Sequence, residues 1–241
     1  MDGRLPARAV RGAASAPMIK VFALIPRRPD VPVDEFHDHW RHPHGDLALR
    51  ITTMQGYLQS HRLASPGGGL ADPIYEGIAE VWFEDLATAA GMGEDPDYLE
   101  GCHADEPLFI DVDRLAFLMT EQQVLVAGPP VAQDAPGVKL LVLLPGGGSD
   151  EAVGSSVEQQ RELGDRLGAT RHVLCLPSAE AYADAAPPYG GIRELWWPDR
   201  RALEAGRDAE PDAWTSLVRG ATEALLATEH RVLWPSARVS G

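Results

Sequence analysis

Residues 19–26 form a mainly apolar run, Ile19-Lys20-Val21-Phe22-Ala23-Leu24-Ile25-Pro26, bounded by Pro26, Pro29 and Pro32. A short apolar run closed by turn residues reads as a buried strand. Asp34 can cap a following helix, in which Phe36, Trp40 and Leu47 keep to one face until Pro43 interferes. Strands are predicted over 56–63 and 75–83, broken by the loop Pro66-Gly67-Gly68-Gly69. Helical character follows over 85–92 and 96–110, and a long strand over 114–126 closes the set. The order is β-α-β-β-α-β. Past a Pro-rich stretch the same order returns. It comprises a strand at 138–145, a helix at 151–167, strands at 170–176 and 190–197, a helix at 211–227 and a strand at 228–234.

The two halves also repeat in their letters. Gly77-Ile78-Ala79-Glu80-Val81-Trp82-Phe83-Glu84-Asp85 returns as Gly191-Ile192-Arg193-Glu194-Leu195-Trp196-Trp197-Pro198-Asp199. The run from Ile19 matches the run from Val138, so that the only two lysines, Lys20 and Lys139, align. Thr120–Leu125 matches Thr228–Leu233. A period above about 100 residues is a domain repeat rather than a solenoid. The predicted fold is α+β: two ferredoxin-like βαββαβ units fused in one chain. Such a sheet carries helices on one face only, so its other face must be covered. Two copies can cover each other, their sheets face to face as a pseudo-dimeric α+β barrel. The predicted division is a disordered tail over 1–17, a first unit over 18–128, a linker over 129–136, a more divergent second unit over 137–235 and a tail over 236–241. The pattern begins directly after Met18, so residues 1–17 read as disordered or as upstream of the natural start.

Strand alternation places Ile78, Glu80 and Trp82 on one face and Ala79, Val81 and Phe83 on the other. Lys20 is predicted near Glu80 and Lys139 near Glu194. A carboxylate among Ile and Trp is too costly to bury alone, and structural ion pairs are the simpler reading of these residues.

Composition adds bounds. The chain has 241 residues and a net charge of −15, which a duplex or an anionic membrane would repel. No apolar run reaches the ~20 residues of a spanning helix. Neither a nucleic-acid nor a membrane partner is expected, and Arg4, Arg8 and Arg11 lack the apolar core of a secretory signal. Two cysteines, Cys102 and Cys175, make neither a disulfide framework nor a thiolate metal motif. The cytoplasm is the expected compartment.

Chemistry concentrates in Phe36-His37-Asp38-His39-Trp40-Arg41-His42-Pro43-His44-Gly45-Asp46-Leu47. Three readings are open. In one, a histidine moves a proton at neutral pH. His37, Trp40 and His44 then share a face if the helix survives Pro43, and His44 beside Gly45 suits a pocket rim. In another, His39, His42, His44 and Asp46 bind a metal, although their spacing matches no strong template. In the third they are solvated side chains on an exposed helix. On the second strand Tyr57, Gln59 and His61 project to one face, as either a wet barrel edge or a pocket wall.

Phe36…Trp40…His44-Gly45…Leu47, then Tyr57…His61 and Glu80-Val81-Trp82-Phe83, resembles the EthD family of the dimeric α+β barrel superfamily. The resemblance covers roughly residues 18–127. It implies a small protein of ether degradation, polyketide tailoring or a catabolic operon. Superfamily relatives include cofactor-free monooxygenases, cyclases, decarboxylases, dehydratases and isomerases, and some bind haem. The family's usual proline is Asp46 here, which places a carboxylate beside His44 that would raise its pKa.

The reading that unites these features is a cofactor-independent enzyme on a small, partly apolar, oxygenated molecule, aromatic or polyketide-like. His44 abstracts a proton. Tyr57 and His61 complete the catalytic group by stabilising an oxyanion. Trp40 and Phe22 form an apolar wall, with His37, Gln59 and Asp46 also at the substrate. Cys102 and His103, in the second helical segment, are lesser candidates. No metal or organic cofactor is expected. Oxidoreductase chemistry is preferred. The alternatives are a lyase or isomerase in the same pocket, and a non-catalytic small-molecule-binding helper. The partners are a small-molecule substrate, the internal pseudo-dimer, and room for a homo-oligomer.

Overall fold

A computed structural model describes residues 18–65, 67, 69–70, 73–128, 137–146 and 157–233. The expected tails at 1–17 and 236–241, the linker at 129–136 and the start of the helix at 151 lie outside them. Among the described residues eight strands form one closed antiparallel barrel. They are β1 (Ile19–Ile25), β2 (Gly56–Arg62), β3 (Gly77–Phe83), β4 (Ala116–Val126), β5 (Val138–Leu144), β6 (Arg171–Pro177), β7 (Gly191–Trp197) and β8 (Glu223–Leu233). The order round the barrel is β1-β3-β2-β8-β5-β7-β6-β4. Each half contributes four neighbouring strands, and β2–β8 and β4–β6 close the ring, leaving no free edge.

Alternation sorts the side chains. Phe22, Leu24, Ile78, Leu118, Leu141, Leu143, Val173 and Ile192 pack inside the barrel. The outward face of the first half packs against helices through Val21, Phe36, Trp40, Ala79, Val81 and Phe83. The outward face of the second half does so through Leu140, Leu195, Trp197, Leu203, Trp214 and Leu217. The first helical layer comprises α1 (Val33–His39), a π-helical turn (Trp40–His44), α2 (Gly45–Ala48) and α3 (Leu86–Gly91). The second comprises α4 (Val157–Arg166), α5 (Arg200–Ala209) and α6 (Pro211–Val218). The aligned Asp85 and Asp199 serve as N-caps of α3 and α5, accepting from Thr88 N and Ala202 N at 2.8 Å.

Three expectations change. The helix expected over 211–227 stops at Val218, where Arg219 (φ −59°, ψ 125°) and Gly220 (φ +70°) form a type II turn closed by Ala221 N–H donating to the Val218 carbonyl at 3.0 Å, and β8 begins at Glu223. Helix α5 is an element absent from the predicted order. The third sequence match is one residue out of register. Lys20 pairs across the strands with Thr120, but Lys139 pairs with Ala227, not Thr228. A slip of one residue exchanges inside for outside. Thr120 therefore has Ala227 as its counterpart, and Thr228 faces outward.

At one end of the barrel interior, four charges meet. Lys20 Nζ lies 2.7 Å from both Glu80 and Glu194, and Lys139 Nζ lies 2.6 Å from both. The expected pairs exist, but each lysine also reaches across to the other half's glutamate. Burial alone would lower the lysine pKa values. Glu194 and Glu80 outweigh it and hold both lysines above their usual value. Trp82 and Trp196 lie 4.6 Å from Lys20 and Lys139 through their ring faces. Ser60 Oγ donates to Glu80 at 2.6 Å, and Cys175 Sγ to Glu194 at 3.2 Å, occupying matching places in the two halves.

Removing one member leaves a buried charge without compensation. Lys139→Met should cost about 3–5 kcal/mol in denaturant unfolding at pH 7, and the neutral pair Lys139→Met/Glu194→Gln should recover much of that. Equal losses in single and double variants would show that these charges do not act as a unit.

Burial, helped by Arg193, lowers the pKa of His172 on β6 to about 4. A histidine neutral in the fold but protonated when unfolded destabilises the fold as pH drops below its unfolded value of about 6.5. Between pH 7 and 4.5 the melting temperature should fall, with His172 contributing up to about 2–3 kcal/mol. His172→Leu should flatten that slope; an unchanged slope would remove His172 as its source.

Candidate active site

The His-rich segment does not break at Pro43. Proline has no N–H to give and crowds the carbonyl one turn back, and the chain answers by widening into a π-turn over Trp40–His44 before resuming as α2. That turn buries Trp40 and sets His44 against the outward face of the first sheet. A glycine lets Trp40 in: a Cβ on Gly77 would overlap its ring. Trp40 Nε1 then donates to Tyr57 Oη at 3.1 Å, and Gln59 Nε2 donates to the same oxygen at 3.0 Å and to the Trp40 carbonyl at 2.6 Å.

Between this sheet face and its helices lies a cavity with about 500 Å³ of empty space, counting its mouth. Small side chains make room for it: Ala23 and Ala79 on the sheet and Ala48 on α2. Ile25, Ile51, Met54, Val81, Met92, Ile110, Leu115 and the exposed Phe117 complete an apolar wall. Its polar groups are His44, Tyr57, Tyr98, Cys102 and Glu106.

His44 is 7% exposed, and its Nδ1 lies 3.0 Å from Asp105 Oδ2. His39 Nε2 lies 3.0 Å from both oxygens of the same carboxylate. Burial opposes the charge on Asp105, but the hydrogen bonds to His44 and His39 outweigh it and hold the carboxyl below its usual range. With Nδ1 tied to a carboxylate, His44 Nε2 is the nitrogen left for the cavity. Burial raises the Tyr57 pKa well above that of a free phenol, so its proton stays on. Its oxygen already accepts two hydrogen bonds, and its own O–H finds no acceptor among the described residues. Burial, then Glu106 and Asp105, lifts Cys102 to about 12, which keeps it a thiol. Glu106 accepts from Tyr98 Oη at 3.0 Å and faces His103 Nδ1 at 3.3 Å.

The sequence-predicted group therefore divides. His44 and Tyr57 meet at one cavity. His61 does not join them. It lies behind Trp40, with Nε2 3.0 Å from Gln59 Oε1 and Nδ1 2.9 Å from His37 Nδ1, and burial drives its pKa down to about 2. His37 and Gln59 belong to the same supporting layer as His61, and Trp40 positions Tyr57. Phe22 points into the barrel, on the opposite face from Trp40, because it alternates with Ala23. Asp46 is exposed, and the carboxylate beside His44 is Asp105 instead. The row Tyr57-Gln59-His61 is buried rather than a wet edge. Among the described residues no three His, Cys, Asp or Glu side chains are grouped to hold a metal ion. Spacing could not reveal Asp105, since it lies 61 residues from His44. The cavity had a signal, however. Cross-strand partners Ala23 and Ala79 correspond to Val142 and Arg193 in the second half, where Arg193 is buried and donates to the Leu217 carbonyl at 3.3 Å.

A family model matches a segment of the first half. Residues 28–113 match the EthD domain. The π-turn, His44, Tyr57 and Asp105 all fall inside that match. Comparison by sequence with curated proteins gives no match. Among solved structures, the chain is similar to a candidate monooxygenase of Fusobacterium nucleatum, at 8% identity over 90% of this chain and 93% of that one, TM-score 0.54. It is also similar to a candidate chlorite dismutase, at 7% identity over 90% and 96%, TM-score 0.51. An EthD family protein of Bacillus halodurans matches at 17% identity over 43% of this chain and 97% of that one, TM-score 0.37. At these identities the likeness to the first two is one of fold. Among the described residues no helix is long and apolar enough to cross a membrane.

The Gly77–Trp40 contact is testable. Gly77→Ala should destabilise the fold by about 1–3 kcal/mol, as overpacking does, and shift Trp40 emission. A neutral substitution would show that the ring has other room.

Proposed function

We propose that the EthD-domain cavity is an active site in which His44, oriented by Asp105, removes a proton from a small, mainly apolar, oxygenated molecule. The observation that carries this reading is the His44–Asp105 pair at the wall of an otherwise apolar cavity. The carboxylate fixes the proton on Nδ1 and stabilises the imidazolium once Nε2 has taken the substrate's proton. Tyr57 O–H is free to donate to the oxygen on which charge develops. The substrate class that suits these walls is a phenol or an enolisable ring ketone, aromatic or polyketide-like. The chain's own residues supply base, donor and apolar wall, so the proposal assigns no organic cofactor.

The anion formed by proton loss can follow two courses. As an oxidoreductase, the protein would pass it to dioxygen as co-substrate, which takes up the electrons. The fold shared with a candidate monooxygenase supports this course. As a lyase or isomerase, it would let the same anion expel a leaving group or be reprotonated elsewhere. We also read the chain as two fused copies of one unit, about 18–128 and 137–235, of which the first carries the site. The matched strand blocks and the repeated element order support that reading.

The test uses phenols and cyclic ketones, with oxygen uptake and product formation followed together. His44→Ala should lower turnover by about 10²–10⁴-fold while ligand affinity stays within a fewfold. Asp105→Asn should lower it less, since the base remains and only its orientation is loosened. Full turnover in His44→Ala would overturn the catalytic reading, and saturable binding without turnover in the intact protein would assign a binding role.

A further inference from the structure

The proposed active site lies on the outer face of the first sheet. The inside of the barrel holds a second cavity, at the end with the four-charge cluster. It has about 320 Å³ of empty space, counting its opening. Lys20, Trp82, Trp196, Arg171, Glu229 and Arg231 are among its walls, and Gln122, Arg171 and Arg231 are only half-buried there.

The charges in this cavity do not balance. Lys20 and Lys139 match Glu80 and Glu194. Arg231 donates to Glu229 at 3.2 Å, and Glu229 also accepts from Trp196 Nε1 at 2.7 Å. Arg171 is the cation left over. Among the described residues its side chain makes no hydrogen bond and no ion pair, and its Nε is buried without a partner. Its guanidinium rests 5.2 Å from the centre of the Trp196 ring, and in register it pairs directly with that residue across the strands. A buried guanidinium donor without an acceptor is costly to keep. The carboxylates nearby cannot serve it, because each is already engaged.

We propose that this end of the barrel is a binding site for a small monocarboxylate, with Arg171 as its principal partner. A guanidinium edge offers two parallel donors that match the two oxygens of a carboxylate. The ring faces of Trp82 and Trp196 suit the short apolar part of such a molecule. The site is separate from the His44 cavity, since the two lie on opposite faces of the sheet.

The test is calorimetric titration of the intact protein with sodium acetate and formate, at constant ionic strength made up with chloride, followed also by tryptophan emission. Saturable binding of acetate above the chloride background is expected. Arg171→Gln should weaken it about tenfold or more, the loss of a charge-assisted pair. Should that variant not fold, Arg171→Lys is read instead and should weaken acetate at least about threefold, since it keeps the charge but loses the fork. His44→Ala should bind acetate as the intact protein does. Absence of saturation in the intact protein, undiminished affinity in the folded Arg171 variant, or loss of binding in His44→Ala would each overturn the proposal.

Discussion

Two lysines and two glutamates buried inside one end of the barrel impose the condition on which the fold depends. Each lysine contacts a carboxylate from both halves. On an isolated open sheet these ions would lie amid exposed apolar side chains such as Phe22, Ile78 and Leu118. Bringing ions out of water costs several kcal/mol each, and only complete mutual pairing offsets it. The two sheets must therefore meet at a defined register. The β2–β8 and β4–β6 ladders then pair every remaining edge.

The larger of the two cavities lies outside the barrel. It forms where the helices lie on alanines, between Ala23 and Ala79 of the sheet and Ala48 of α2. The π-turn and Pro43 bring His44 to this space. In the proposed chemistry Asp105 orients a nitrogen of His44 and Tyr57 offers a proton. Trp40 links them by filling the groove above Gly77 and holding the Tyr57 oxygen.

Much of this architecture was legible in the chain. Strand alternation placed Glu80 and Trp82 together and Ala79 on the other face, and matched blocks paired the lysines with the glutamates. Alternation works because a strand's side-chain period is fixed by its backbone. The same rule exposes the errors. Phe22 shares a strand with Ala23 but not a face. Thr228 resembles Thr120 in its letters but is one residue off in register. His61 groups with His44 by residue type and by nearness to the same helix, yet it packs on the Trp40 ring and does not line the cavity. Asp105 was out of reach because its contact with His44 is set by how two distant helical segments pack. The end of α6 was missed because a turn at Arg219 and Gly220 outweighed an apolar run.

The cross-strand pairs Ala23–Ala79 and Val142–Arg193 carry a consequence of their own. In a barrel built from two identical chains, any substitution is written twice, and an arginine that fills one hollow fills both. Here each half has its own letters. One side can spend its volume on rigidity while the other stays hollow, so the strength of the container and the shape of its contents are free to vary independently.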